Sequence, residues 1–334
     1  MTNFIEKNSP PSTYWRAILI IGRNTTSYKF SWQKTLLENH KNKSSIKIED
    51  IALPFALNIC EHLKNNKKQH TGISNSFLVD CKKYNKNQIN SEQLKNSSIK
   101  NGFNYVLDAF HNVAGGVIPI FYEIVKKEKR IVLTDNFFKL LDTSDVNNFN
   151  FEVQSRWQVW ETGITEGINP RLLDFSVDTN NEILVYRNNK NRRTSVTSLK
   201  PFLNLYQKGI CFYCRTNIRI EKGFENSCEV DHYFPHKLKD FGIYNVDQIW
   251  NLVLSCVNCN REKSLNIPVK EYIYDLDKRN NWYIESHRSI GPHIMKQTAY
   301  TRSLRKSYLN KFDEDAISYI PFRWKPNDFF GKKL

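Results

Sequence analysis

The 334-residue sequence contains no long apolar run; the one short stretch near its start, Ala17 to Ile21, falls far below the roughly 20 residues of a membrane span. It also lacks the charged start and small-residue cleavage pattern of a secretory signal. Both absences lead us to expect a cytoplasmic protein with no membrane partner. Acidic residues are in deficit, 34 Asp and Glu against 49 Lys and Arg, which leaves a formal charge of +15. That imbalance nominates a polyanion as partner, because clustered Lys and Arg gain affinity by releasing counterions from phosphates. Glycine is scarce where a phosphate loop would need it, in "IIGRN", and no internal repeat is visible. What is present suffices for a core: 40% hydrophobic residues and 13% aromatics.

Seven cysteines cannot all pair as disulfides, and four of them form two C-x2-C pairs, Cys211/Cys214 and Cys256/Cys259. In a reducing compartment this spacing argues for metal binding, two thiolates from each pair on one tetrahedral structural Zn²⁺. Such a site is coordinatively closed, so the zinc would fold the region without doing chemistry. Cys60, Cys81 and Cys228 read as small buried side chains.

Along the chain we expect an α+β, mostly α protein of two domains. After a flexible leader of about ten residues ending at "SPPS", an α-rich domain would span residues 1–180, with Trp32, Leu36 and Leu37 on one helical stripe and Pro54 starting, breaking or kinking the next helix. Residues 64–100 read as surface loops around one short element. "GFNYVLDAFHNVAGGVIPIFYEIVKK" reads as two helices separated at Gly115 and Gly116, with Thr134 capping another. "EILVYR" alternates like a strand near the boundary, and residues 181–334 would form the second domain, with a core at 205–268 and basic, aromatic helices after it.

Between the cysteine pairs lies "EVDHYFPHKL". Asp231 and His232 would end a strand, where adjacent side chains point apart: one toward a cation, the other toward a water. A neutral imidazole can take a proton from attacking water while a hard divalent ion, Mg²⁺ or Mn²⁺, neutralises the leaving oxygen. A second strand in "IWNLVLSC" and a helix from "CNREK" would bring Asn260 beside Asp231, two hard oxygen ligands.

The ordered set C-x2-C, VDHYFP, WNLVLSC-x2-CN-x2-K resembles the HNH endonucleases, over roughly residues 205–268. That resemblance implies a zinc-stapled ββα-metal nuclease module that hydrolyses DNA phosphodiester bonds, RNA not being excluded. It implies His232 as general base, Asp231 and Asn260 as ligands of the catalytic metal, and Asn251 as the asparagine that holds the loop and orients the histidine. Lys263 would lie near phosphate. Arg261 would do the same or sit on a solvated helix face, and His236 would touch phosphate, support His232 or cap the loop.

An architecture of nuclease plus recognition or interaction domain implies a bacterial restriction or anti-phage defence effector, with a partner protein in such a system. Double-strand cleavage from one site per chain calls for a homodimer or two successive nicks. The alternatives are a non-catalytic zinc-containing nucleic-acid-binding module, and a nuclease subunit silent without a partner such as an ATPase.

Overall fold

The computed structural model describes residues 9–20, 24–40, 43–64, 68–72, 75–113, 120–165, 175–187, 193–243, 245–286 and 290–327. Most of them are helical, with short strands between, and the chain divides into two units: Met1–Val146 with Arg156–Ile168, and Asn147–Ser155 with Asn169–Leu334. Among the described residues no helix is long and apolar enough to cross a membrane.

The first unit contains α1 (Pro11–Ile20), α2 (Tyr28–Asn39), β1 (Ser45–Lys47), α3 (Ile48–Lys64), α4 (Ser76–Asn85), α5 (Ser91–Ser97), α6 (Val106–Ala109), β2 (Tyr122–Val125), β3 (Arg130–Leu133) and α7 (Asp135–Leu141). α8 (Phe149–Thr165) contributes its later turns here and its first to the second unit. Aromatic rings fill the core. Trp15 meets Phe110, Phe121 and Phe137 edge-on at 5.0–5.9 Å. Trp32 meets Phe55, Phe103 and Tyr122 at 5.5–6.3 Å. Burying each such side chain contributes about 1.5–3 kcal/mol. A polar network crosses this core. His62 stacks on Trp157 at 3.6 Å and bonds Glu161 at 2.6 Å, while Gln69 donates to Glu161 and accepts from the Trp157 indole at 2.9 Å.

Local expectations meet the structure at four places. Residues 64–100 are more helical than their Lys/Asn/Gln content suggests. Phe77, Leu78, Cys81 and Leu94 are the apolar positions that bury, and Asn90 with Gln93 forms a capping box for α5. "YEIV" is not α-helix but the first strand of the β2–β3 hairpin, with Tyr122 opposite Leu133; its β-branched residues suit a pleated surface, and a 3₁₀ turn over Lys126–Glu128 leads to Lys129 in the left-handed conformation (φ 48°). Pro54 lies inside α3 without ending it: the carbonyl it leaves unpaired belongs to Asp50, which is exposed to water. Thr134 does occupy the N-cap of α7, but its hydroxyl donates to the Ile120 carbonyl instead of capping. Residues 1–8 of the expected leader, and Gly115 and Gly116, lie outside the described residues.

The second unit opens with a meander, β4 (Phe175–Asp178), β5 (Ile183–Arg187) and β6 (Arg193–Ser198), followed by α9 (Leu199–Gln207). α9 buries Leu199, Phe202, Leu203 and Leu205 and stops where Lys208 turns left-handed. β7 (Cys228–His232) and β8 (Leu252–Cys256) pair antiparallel, Cys228 opposite Cys256 and His232 opposite Leu252, and α10 (Val257–Lys263) follows at once. β9 (Ile267–Pro268), α11 (Glu271–Ser286), α12 (Gly291–Gln297), α13 (Arg302–Tyr319) and β10 (Arg323–Trp324) complete the unit, β10 pairing in parallel with β9. Arg279 of α11 is fully buried and donates to the carbonyls of Ile249, Trp250 and Leu252 at 2.5–3.2 Å.

Candidate active site and metal centre

The four C-x2-C sulfurs converge. All lie within 4.8 Å of one another, and Cys214 Sγ is 3.7 Å from Cys256 Sγ. Sulfurs bound tetrahedrally at about 2.3 Å to one Zn²⁺ stand about 3.8 Å apart, so the set fits that ion. The sulfurs also accept backbone N–H groups, Cys211 from Cys256 at 3.3 Å and Cys256 from Cys259 at 3.4 Å, an arrangement suited to thiolates. This is a Cys₄ cluster consistent with structural zinc, and it ties the turn before β7 to the junction of β8 and α10.

Across that junction the strand pair presents Asp231 and His232. Asp231 is 7% exposed. Its Oδ2 accepts from the Tyr213 hydroxyl at 2.6 Å and its Oδ1 from Lys263 Nζ at 3.1 Å. Burial, then the carboxylate's own charge, holds the Tyr213 phenol far above its ordinary pKa, so it remains a donor. Lys263 is 1% exposed and also donates to the His232 carbonyl at 2.8 Å. Its ammonium is therefore internal, bracing both residues, instead of standing in solvent for a phosphate.

Asn260 sits on α10 with its amide nitrogen 2.7 Å from Glu229 Oε2. Glu229 precedes Asp231 by two positions, so both side chains leave the same face of β7. Asn260 thus reaches the acidic face of the strand, its direct partner being Glu229.

His232 Nε2 lies 3.0 Å from Asp247 Oδ1, and Asp247 Oδ2 contacts Lys239. A ring nitrogen facing a carboxylate carries the proton, which leaves Nδ1 as the basic atom. Among the described residues Nδ1 has no hydrogen-bond partner. Burial pushes His232 down to about 4; Asp231 works against that, and His236, Lys263 and Lys239 add to it. The imidazole is accordingly neutral near pH 7. His236 is exposed, its ring 5.9 Å from that of His232.

Asn251 is completely buried. Its Oδ1 accepts from the Phe234 N–H at 2.9 Å, and its Nδ2 donates to the carbonyls of Phe234 and Val246, both at 2.8 Å. One amide thereby closes the loop that carries His236, Lys239 and Asp247. Arg261 is exposed at the helix surface.

Sequence reasoning missed Tyr213, Glu229 and Asp247. Tyr213 lies inside the first C-x2-C pair, where an aromatic reads as core. Asp247 is the sole carboxylate between Asp240 and Cys256, a weak signal that only the loop's path turns into a histidine partner.

Residues 211–269 match the family model described as HNH endonuclease. No curated protein and no solved structure shows significant similarity to the chain. The segment is an HNH endonuclease domain holding the four-cysteine cluster, which makes it a phosphodiester hydrolase acting on nucleic acid.

Proposed function

We propose that this chain is a divalent-metal-dependent endonuclease that cuts DNA, with His232 as general base. The observation that carries the reading is the placement of His232, fixed through Nε2 by Asp247 with Nδ1 unspent, beside the carboxylates of β7 and the Asn260 amide of α10. Asp231 and Asn260 would hold a catalytic Mg²⁺ or Mn²⁺, with Glu229 on the same face. Each Asp231 oxygen has one hydrogen-bond donor and keeps lone-pair capacity, and all three residues offer hard oxygens. Such an ion supplies neutralisation of charge on the leaving sugar oxygen.

The chain's own part in the reaction is proton handling and positioning. His232 Nδ1 takes a proton from water as the water oxygen bonds to phosphorus and the bond from phosphorus to the leaving oxygen breaks. Asp247 stabilises the resulting imidazolium and keeps Nε2 protonated throughout. Lys263 and Tyr213 hold the Asp231 carboxylate, and Asn251 holds the loop that delivers Asp247. Arg261 and His236, both exposed, are the groups available to phosphate.

The net charge of +15 favours a polyanionic substrate, and the first unit, with its own core, is a candidate recognition or interaction domain. A nuclease module joined to such a domain suits a restriction or anti-phage effector, its double-strand cuts made by a homodimer or by successive nicks, with a partner protein setting when it acts. This last step rests on architecture.

Cleavage of supercoiled plasmid with Mg²⁺ or Mn²⁺ tests the proposal, comparing the wild type with His232→Ala at equal zinc content. Cleavage by the wild type and its loss, about 10²-fold or more, in the variant is the expected result. Equal cleavage by both proteins would remove His232 from the mechanism.

A further inference from the structure

The first unit contains a cavity of about 290 Å³ that the nuclease chemistry does not use. The opening turns of α2 and α4 reach it, through Tyr28 and Lys29 and through Asn75 and Ser76. Helix N-termini carry partial positive charge and N–H groups without intrahelical partners. By itself that would be unremarkable for any helix start.

What distinguishes this cavity is Lys29, 8% exposed on its wall. The ammonium has three N–H donors, and among the described residues it has one acceptor, the Asn112 carbonyl at 3.1 Å. Among the described residues no Asp or Glu lines the cavity. Burial lowers Lys29 to about 8, which still leaves it mostly charged near neutrality. Among the described residues this cation has spare donors and no carboxylate beside it, an arrangement costly to hold in a folded protein unless something anionic joins it.

A second group is also unspent. Asn24 lines the cavity with its side-chain oxygen buried and, among the described residues, unpartnered. Asn101 and Asn104 add amides to the wall. Asn101 belongs to a π-helical turn, Ser98–Gly102, a distortion common at functional sites. Gly102 permits that turn's close approach: a Cβ there would stand 3.1–3.3 Å from the rings of Phe55 and Phe77. The wall thus offers positive charge together with amide donors and acceptors, in a volume near the lower end of ligand pockets, roughly 300 Å³.

We propose that this cavity binds a 5′-nucleotide, its phosphate at Lys29 and the start of α4 and its base or sugar edge against the asparagines. The same chemistry exists in a free mononucleotide and at a 5′-phosphorylated strand end. The site stands apart from the nuclease assignment and does not depend on it.

Calorimetric titration of the full-length protein, without added divalent ion, tests this. The titrants are the four deoxynucleoside 5′-monophosphates, the corresponding nucleosides, and a short oligonucleotide with and without a 5′-phosphate. At least one monophosphate should bind at one per chain, with its nucleoside about 10-fold or more weaker, and Lys29→Met should weaken the monophosphate about 10- to 100-fold. Binding of the phosphorylated oligonucleotide but not the mononucleotides, with the same sensitivity to Lys29, would support the site and assign it to strand ends. Asn24→Leu provides a second variant should Lys29→Met fold poorly, and it should lower affinity about 10-fold. Absence of binding by every phosphorylated titrant, or affinity unchanged by either folded variant, would overturn the proposal.

Discussion

Replacing Asp247 tests how His232, the proposed general base, is prepared. In the wild type Asp247 accepts from His232 Nε2 at 3.0 Å and contacts Lys239 through its other oxygen. A hydrogen bond to a charged group contributes about 1.5–3 kcal/mol. If that energy fixes the ring and stabilises the imidazolium formed on proton transfer, losing it lowers cleavage about 10- to 150-fold. Asp247→Ala should fall toward the larger loss, because Lys239 then stands unpaired and opposes a second positive charge. Asp247→Asn should lose less, since an amide oxygen still accepts from Nε2. The assay is single-turnover nicking at saturating divalent ion, with zinc content and circular dichroism matched to wild type. The decrease should appear in the rate at saturating DNA and not in the DNA concentration for half-maximal rate. A folded, zinc-replete Asp247→Ala that nicks within two-fold of wild type would refute the tautomer argument, even if His232→Ala is dead.

Three further outcomes follow from other parts of the molecule. Cys256→Ser breaks the four-sulfur set; it should lose zinc and open the segment around β7 and β8 to protease, read by metal analysis and limited proteolysis. Asn251→Ala strands the Phe234 N–H and two carbonyls in a buried site, at about 1–3 kcal/mol for each group left unsatisfied, so denaturant unfolding should show a loss of about 3 kcal/mol or more. In the first unit His111 is pushed down to about 4, by burial and then by Lys29, and accepts the Phe121 N–H at 3.0 Å. Its folded pKa lies below the unfolded value of about 6.5, so the unfolded state binds more protons between pH 6.5 and 4 and stability falls as pH drops through that window, by up to about 3 kcal/mol. His111→Gln should flatten this part of the stability profile; an unchanged slope would count against the assignment.

The nuclease segment was legible because its chemistry needs particular residues at short separations. The C-x2-C pairs fix four sulfurs, and "VDH" and "CN" put Asp231, His232 and Asn260 on one strand and the helix after the next. The partners of those residues were not legible. Whether Lys263 points outward to phosphate or inward to Asp231 depends on how α10 seats on β7, and Asp247 reaches His232 only because Asn251 closes the intervening loop. In the first unit, Lys- and Asn-rich stretches concealed α4 and α5, whose few apolar residues become buried. A run of β-branched residues after Gly116 resembled helix until paired as a hairpin.

Arg279 bears on how the protein can be divided. The family match stops at residue 269, yet this buried guanidinium in α11 grips three carbonyls around Asn251, the residue that closes the active-site loop. The family match therefore ends inside a larger packed unit, which continues through α11. A fragment trimmed to the recognisable motif would retain every residue assigned a chemical role and still lose the brace that keeps its loop shut. Insertions, fusions and split-protein designs that respect this packed unit must carry α11 with the nuclease.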